Sequence, residues 1–307
     1  MVHTPQWAAI LAGGEGLRLQ PLIASVTGER RPKQYCRLLG PQTLLGETRS
    51  RLAAAVPVEQ TMFVVSRSHE RFYAEELADA PQGSVIAQPQ NRGTFAAVAL
   101  TLMQLRAAGV DGVVGFFPCD HYYRDPDLFQ QVVSTAYREA RERSDLVVLL
   151  GAQATGPETN YGWIEPGAVL GTERHAMGCP WPLRSVRRFV EKPTTSIARD
   201  LLDRGCAWNT LVAVGHIDAF EALLRSARPD ILDALARIRL GACEADVAAV
   251  YRTLPSACFS RAALSRGTER LAVMIVPDLG WADLGRPERV ADVLADRHQI
   301  LEQCMAG

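Results

Sequence analysis

The chain has 307 residues, of which 48% are hydrophobic, and its formal net charge at pH 7 is −1. This length and apolar content support a sizeable core, in one large α/β domain or two smaller ones. The balanced charge gives no field that would attract nucleic acid or an anionic membrane, so neither is expected as a partner. No stretch resembles a transmembrane span, and because the first predicted strand starts by residue 7, no signal peptide is expected.

Cysteine usage points to a reducing compartment. The seven cysteines are scattered along the chain, and no two of them have C-x-x-C spacing. Such a pattern suits a reducing environment better than a disulfide framework or a zinc site. We therefore expect a cytoplasmic protein.

Short apolar runs alternate with helical patterns through the first half of the chain. The runs are continuous, as is typical of strands covered on both faces, and they predict strands at 7–11, 61–66, 84–88, 112–117 and 145–153. Helices are predicted at 43–55, 69–79, 93–108 and 126–143. This alternation favours an α/β fold with a mostly parallel central sheet and helices on both faces. In such a sheet, ligands bind beyond the carboxyl ends of the strands.

The second half has a different composition. Residues 155–193 are rich in Gly, Pro, Thr and Trp, and strands are predicted at 161–166 and 184–193. The remaining predicted elements are a helix at 194–204, a strand at 207–215, helices at 216–226, 229–240 and 243–253, a strand at 270–276, and a terminal helix from Pro287. No repeat or linker divides the chain, so we expect one domain with a substrate-binding insertion.

A glycine-rich loop, residues 13–16, follows the first predicted strand, and Arg18 and Lys33 come after it. Glycines let backbone N–H groups approach a ligand closely, and the two cations could neutralise phosphates. The loop is neither a dinucleotide fingerprint, which needs Gly where Leu19 stands, nor a Walker A loop, since no Gly-Lys-Ser/Thr triplet occurs. The hypothesis is a nucleoside triphosphate site. The alternative is a plain turn between strand and helix.

Lysine occurs only at Lys33 and Lys192 among the 33 basic residues, and each lysine adjoins a proline. Arginine serves at the other basic positions. The two exceptions suggest sites that need a compact ammonium rather than a planar fork. The alternative is chance survival under a composition bias.

Seven motifs in the same order resemble those of sugar-1-phosphate nucleotidyltransferases, and several resemble the mannose-1-phosphate guanylyltransferases among them. The motifs are LAGGEGLRL at 11–19 with PKQ at 32–34, QPQNRGT at 88–94, PCDH at 118–121, NYGWIE at 160–165, FVEKP at 189–193, WNT at 208–210 and WADLG at 281–285. The resemblance implies a Rossmann-like nucleotide-diphospho-sugar transferase fold. It also implies transfer of GMP from GTP to mannose 1-phosphate, with Mg²⁺ as cofactor and GDP-mannose and pyrophosphate as products.

The chemistry of that reaction assigns roles to charged residues. A sugar-phosphate oxygen attacks the nucleotide α-phosphate, so the site must neutralise and align two anions, and no base is needed. Arg18 and Lys33 are the predicted triphosphate ligands. Asp120 and Asp283 each follow a predicted strand and can reach one crevice, where they would hold Mg²⁺. Lys192 completes the predicted catalytic set. A helix cap or turn acid is the alternative for each aspartate.

The resemblance also implies the binding residues. Those for the nucleotide are Ala12, Gly13, Gly14, Gly16, Arg18, Lys33, Gln88, Gly93 and Thr94, and those for the sugar phosphate are Gly162, Glu191, Lys192 and Asn209. Glu191 would accept from sugar hydroxyls and Lys192 would hold the sugar phosphate, although a surface pair is the alternative. Thr94 has a helix cap as its alternative. Trp163, Trp208 and Trp281 flank the motifs and are assigned to core packing, with stacking on a ligand ring as the alternative.

This sequence departs from the family pattern at several positions. Leu17 stands where the family usually has Thr, Gln20 where Trp is frequent, and Phe95 where a small residue or Pro is usual. Thr210-Leu211-Val212 replaces the usual Ser-Gly-Met, and residues 168–184 resemble a divergent hairpin. The phosphate and metal groups are retained, so these changes bear on the choice of base and sugar.

We predict a single domain over 1–307, with a nucleotide-binding half (1–154), a sugar-phosphate-binding half (155–285) and a C-terminal helix (286–307). No C-terminal β-helix or isomerase domain is expected. One alternative is a related enzyme that uses UTP, dTTP or ATP. Another is a catalytically silent homologue that binds a nucleotide sugar as a regulatory subunit. The oligomeric state is open, with a homodimer as one option.

Overall fold

A nine-stranded sheet lies at the centre of the computed structural model, which describes residues 4–171, 180–238, 242–277 and 279–306. The strands in chain order are β1 (Gln6–Ala12), β2 (Thr61–Ser66), β3 (Val85–Gln88), β4 (Val113–Pro118), β5 (His121–Tyr123), β6 (Val147–Gln153), β7 (Gly162–Val169), β8 (Leu183–Glu191), β9 (Ala207–His216), β10 (Leu271–Val276) and β11 (Trp281–Asp283). The order across the sheet is β3-β2-β1-β4-β9-β6-β10-β8-β7. Strands β5 and β11 form a separate two-stranded sheet.

The large sheet is mixed, so the prediction of a mostly parallel sheet is wrong. Strands β3, β2, β1 and β4 pair in parallel, as do β6 and β10. Strand β9 runs antiparallel between β4 and β6, and β8 runs antiparallel to β10 and β7. A continuous apolar run reports that both faces of a strand are covered, but it does not encode the direction of the neighbouring strand. The apolar sequence of β9 therefore did not indicate that this strand runs antiparallel to its neighbours.

Helices pack on both faces of the sheet. They are α1 (Gln20–Thr27), α2 (Leu44–Leu52), α3 (Glu70–Tyr73), α4 (Gly93–Ala107), α5 (Pro126–Glu142), α6 (Thr195–Asp203), α7 (Ile217–Ala227), α8 (Pro229–Leu235), α9 (Glu244–Thr253) and α10 (Pro287–Ala306). Side chains alternate along β1, so Ile10 joins a core cluster with α5, whereas Ala9 joins a second cluster with α4 and α7. Within the described ranges, no helix has the length and apolarity needed to cross a bilayer.

Several predicted boundaries differ from the structure. The helix predicted at 69–79 is regular only over Glu70–Tyr73 and continues as turns. The predicted hairpin at 168–184 and the helix at 229–240 each extend into residues outside the described ranges. Strands β5 and β11 were not predicted, because three residues are too few to show a periodic pattern.

The two-stranded sheet positions two of the predicted site residues. Its register places His121 opposite Asp283 and Tyr123 opposite Trp281. Asp120 immediately precedes β5, and Asp283 ends β11. The pairing therefore brings together two aspartates that are far apart in sequence.

The segment after α9 closes over the start of α4. Ala257 N donates to the carbonyl oxygen of Arg92 at 3.0 Å, and Phe95 N donates to the carbonyl oxygen of Ala257 at 3.1 Å. Gly93 lies between these bonds with φ of 80°. A Cβ at this position would lie 2.2 Å from the Ala257 carbonyl oxygen. Only glycine fits this close backbone contact.

Gly93→Ala should therefore destabilise the protein more than Gly109→Ala does. Gly109 has a similar φ of 75°, but nothing lies within 4 Å of a Cβ built there. We expect Gly109→Ala to lose about 1 kcal/mol of unfolding free energy from backbone strain alone, and Gly93→Ala to lose about 2 kcal/mol more. Urea denaturation measures both values. Equal losses in the two variants would show that the segment after α9, residues 254–260, can move away from the added methyl group without a loss of stability.

Candidate active site

A cavity of about 460 Å³ lies at the carboxyl ends of the parallel strands. Its wall includes the loop after β1, the end of β3, and the segments after β4 and β10. Residues of β7, β8 and β9 form the other side. This is the position where an open α/β sheet binds its ligands.

The cavity collects nearly all of the residues that the sequence singled out. Those that line it are Gly13, Gly14, Gly16, Arg18, Lys33, Gln88, Gly93, Thr94, Asp120, Gly162, Glu191, Lys192, Asn209 and Asp283. Ala12 is the exception and is fully buried. Its carbonyl oxygen accepts from Gln34 Nε2 at 2.8 Å and from Tyr35 OH at 3.1 Å. Through these two hydrogen bonds, Ala12 holds the start of the glycine-rich loop in place.

Lys33 is a buried ammonium at the centre of the cavity, with only 7% of its surface exposed. Its Nζ lies 2.8 Å from Asp120 Oδ2 and 3.5 Å from Asp283 Oδ1, and it donates to the carbonyl oxygen of Leu284 at 2.9 Å. Burial alone would lower the pKa of Lys33, but the two carboxylates outweigh it and raise that pKa. The lysine is therefore firmly cationic.

The two aspartates converge on that single cation. Burial alone would raise the pKa of Asp120, but Lys33 holds it below its usual value, so the carboxylate stays charged. Two carboxylates directed at one point, with room for phosphate oxygens beside them, are a donor set that suits Mg²⁺. The residues present thus fit a divalent metal.

A second acidic cluster lies elsewhere. Asp111, His216 and Asp218 have ligand atoms within 4.8 Å of one another. Asp111 precedes β4 and His216 ends the antiparallel β9, so the cluster is at the opposite edge of the sheet from the cavity. Arg106 forms ion pairs with both aspartates and supplies their counter-charge. The cavity metal would not bind there.

Arg18 has a looser environment than Lys33. Its side chain is 56% exposed, and Nη2 lies 4.0 Å from Asp283 Oδ2. A pair this long and this exposed contributes little to stability. The guanidinium can therefore reorient towards a phosphate at low cost.

Gly162, Glu191 and Asn209 form a polar corner on the other side of the cavity. Gly162 lies opposite Glu191 in the β7–β8 pairing, and a Cβ on Gly162 would lie 2.9 Å from Glu191 Oε2 and 3.3 Å from Asn209 Cβ. Glu191 Oε2 and Asn209 Nδ2 are buried, with no hydrogen-bond partner in the described part of the chain. Burial raises the pKa of Glu191, with Lys192 and Arg261 opposing that shift. Buried polar groups without partners call for a ligand or a water.

Two residues of the cavity have an unusual backbone. Among the described non-glycine residues, only Lys192 and Leu211 have positive φ, at 52° and 62°. A left-handed conformation costs an L-residue about 1 kcal/mol or more, and such strain concentrates at functional sites. Lys192 is held by its N–H, which donates to the carbonyl oxygen of Tyr161 at 3.0 Å. Its side chain is half-exposed, and Nζ lies 4.0 Å from Glu191 Oε1.

The side of the cavity formed by Gln88 and Thr94 is tied to α9 and to the segment that follows it. Tyr251 OH donates to Gln88 Oε1 at 3.3 Å, and Phe259 N donates to Thr94 Oγ1 at 2.9 Å. Helix α4 has Arg92 as its N-cap and no side-chain cap. The alternative interpretation of Thr94 as a helix cap is therefore wrong.

Sequence reasoning missed part of this wall. Ser256, Cys258, Phe259 and Ser260 all line the cavity. They lie in no motif, and only long-range hydrogen bonds to the start of α4 bring them there, so no local signal could have found them. Trp281 also lines the cavity, whereas Trp163 is fully buried in the core.

Comparison with known proteins identifies the family of this chain. Residues 7–299 match the model of the nucleotidyl transferase family. The chain is 32% identical over 290 residues to mannose-1-phosphate guanylyltransferase of Sinorhizobium fredii, covering 90% of this chain and 52% of that protein. It is 30% identical over 292 residues to the xanthan biosynthesis protein XanB of Xanthomonas campestris, covering 92% and 58%. The chain thus spans little more than half the length of these relatives.

A solved structure from Thermus thermophilus, described as a mannose-1-phosphate geranyltransferase, superposes with a TM-score of 0.76. It is 29% identical in sequence, and the match covers 91% of this chain and 76% of that one. This likeness confirms the α/β nucleotidyltransferase fold. Because the family match runs through nearly the whole sequence, the chain belongs to the nucleotidyl transferase family.

Proposed function

We propose that this protein transfers GMP from GTP to mannose 1-phosphate, giving GDP-mannose and pyrophosphate. The observation that carries the proposal is the arrangement of the cavity. The charged cluster of Lys33, Asp120 and Asp283 lines the same cavity as the glycine-rich loop and the polar corner of Glu191 and Asn209. Such a cavity suits two phosphorylated substrates that meet at their phosphates. The names of the relatives support the choice of GTP and mannose 1-phosphate.

Lys33 and Arg18 act on the triphosphate in this proposal. Lys33 is a buried, pre-positioned ammonium, and such fixed charges stabilise a developing negative charge without reorganising. Arg18 can turn from Asp283 towards the outer phosphates because its guanidinium is exposed. When bound by Asp120 and Asp283, Mg²⁺ would supply further charge neutralisation at the phosphates.

The sugar phosphate is bound by the other side of the cavity. Lys192 holds the phosphate with a half-exposed ammonium, while Glu191 and Asn209 meet the sugar hydroxyls with their unpartnered atoms. The attacking phosphate oxygen is already anionic, so no general base is needed and the residues have only to orient that oxygen. Retention of all five predicted catalytic residues argues against a silent binding homologue.

A matrix of GTP, UTP, dTTP and ATP against mannose 1-phosphate and glucose 1-phosphate tests the substrates. Pyrophosphate release should be fastest with GTP and mannose 1-phosphate. Release with UTP and glucose 1-phosphate alone would contradict the substrates and keep the reaction class. Absence of release with every pair would favour the regulatory binding protein.

Lys192→Arg should raise the KM for mannose 1-phosphate about tenfold, with little change in the KM for GTP. The reason is that a planar guanidinium does not reproduce a compact ammonium on a strained backbone. Arg187→Lys is the reverse exchange at an exposed position of β8 and serves as the control. Full activity of Lys192→Arg would contradict the inference, drawn from the scarcity of lysine, that this position needs a compact ammonium.

Asp283→Asn tests the metal site. Chelation of divalent ions should stop pyrophosphate release, and Mg²⁺ should restore it. In the variant we expect kcat/KM to fall about 100-fold, because a neutral amide is a weaker ligand for Mg²⁺. Asp218→Asn makes the same change in the acidic cluster at the opposite edge and should keep full activity. Equal losses in both variants would contradict the assigned ligands.

A further inference from the structure

Leu211 is an exposed leucine on an otherwise buried stretch of β9. Its neighbours Thr210 and Val212 are fully buried, whereas Leu211 is 41% exposed and lines the cavity. Its φ of 62° lies in the left-handed region, where glycine is the residue that fits without strain. A strained residue that also exposes apolar surface needs a reason beyond packing.

A bulge in β9 holds Leu211 in this position. Asn209 pairs with Gly151 and Ala213 pairs with Leu149, so residues 210–212 lie opposite a single residue of β6. Thr210 Oγ1 donates to the carbonyl oxygen of Leu150 at 2.7 Å, and Leu211 N donates to Asn209 Oδ1 at 3.2 Å. Bulges of this kind redirect a side chain and are frequent beside active sites.

The bulge lies between the two functional parts of the cavity. Asn209, with its unpartnered Nδ2, is two residues before Leu211. On the other side, the carbonyl oxygen of Thr210 lies 3.1 Å from His121 Nδ1, next to the predicted metal ligand Asp120. Leu211 lines the same cavity as Asn209 and bonds to it through its N–H, so it lies next to the polar corner, where the sugar would bind.

We propose that Leu211 is a specificity-determining residue that limits the width of the sugar subsite. The enzyme would accept an unsubstituted hexose 1-phosphate and exclude an N-acetylhexosamine 1-phosphate. Leucine occupies space that glycine would leave open, and it offers no hydrogen-bond partner to an acetamido group. Burying that amide without a partner would oppose binding. This inference rests on the proposed function.

The test compares Leu211→Ala, Leu211→Gly and Leu211→Met. Alanine shortens the side chain and keeps the backbone strain, glycine removes both, and methionine conserves the volume. Leu294→Ala is the matched control, since Leu294 is 43% exposed on α10 and does not line the cavity. The measured quantity is the ratio of kcat/KM for mannose 1-phosphate to that for N-acetylmannosamine 1-phosphate.

We expect the ratio to fall about tenfold or more in the alanine and glycine variants, and to stay unchanged in the methionine variant and the control. The KM for GTP should stay within about twofold of the wild-type value, since the nucleotide side is untouched. Relief of strain should also raise the Tm of Leu211→Gly by about 2 °C over that of Leu211→Ala.

An unchanged ratio in both shortened variants would overturn the inference, as would a change confined to the KM for GTP. If another nucleotide and hexose 1-phosphate pair proves active, the ratio is measured with that hexose and its N-acetylamino analogue. If no pair releases pyrophosphate, the proposed function fails by itself. Calorimetric Kd values for the two sugar phosphates then decide the inference, by the same tenfold criterion.

Discussion

The cavity depends on the ion pairs and the hydrogen bond that the Lys33 ammonium forms. This ammonium bonds to Asp120 and to the carbonyl oxygen of Leu284, with Asp283 close by, so it joins the segments after β1, β4 and β10. A buried charge without partners is costly, on the order of several kcal/mol. Those segments must therefore meet for the lysine to be tolerated, and their meeting forms the site.

Charge in the cavity is balanced before any substrate binds. Arg18, Lys33 and Lys192 each lie within 4.0 Å of a carboxylate, on Asp283, Asp120 and Glu191 respectively. An incoming triphosphate must compete with those carboxylates for the cations. A divalent metal held by Asp120 and Asp283 would relieve that competition, because the cations would then be free to meet the phosphates. Metal and nucleotide are then expected to bind as linked partners rather than independently.

The sequence was informative where the chemistry is local. Several functional residues lie at or just after the end of a short apolar run, as Gln88 does at the end of β3 and Asp120 after β4, so strand and residue could be found together. The direction of β9 could not, because apolar runs carry no direction. The partners of Gly93 and the bulge at Leu211 arise from pairings between distant segments. For such pairings, residue type at one position says nothing about its neighbour in space.

The contact between Lys33 and Leu284 spans 251 positions. Closing a loop of that length costs on the order of 5 kcal/mol in chain entropy, so this contact forms only after much of the sheet is in place. Lys33 and Asp120 are made early in translation, but Asp283 and Leu284, the other two partners of the ammonium, are made only with and after β11. The charged cluster around Lys33 is thus completed only when the last described strand is added, so a ligand that needs all of its charges is expected to bind only the finished chain.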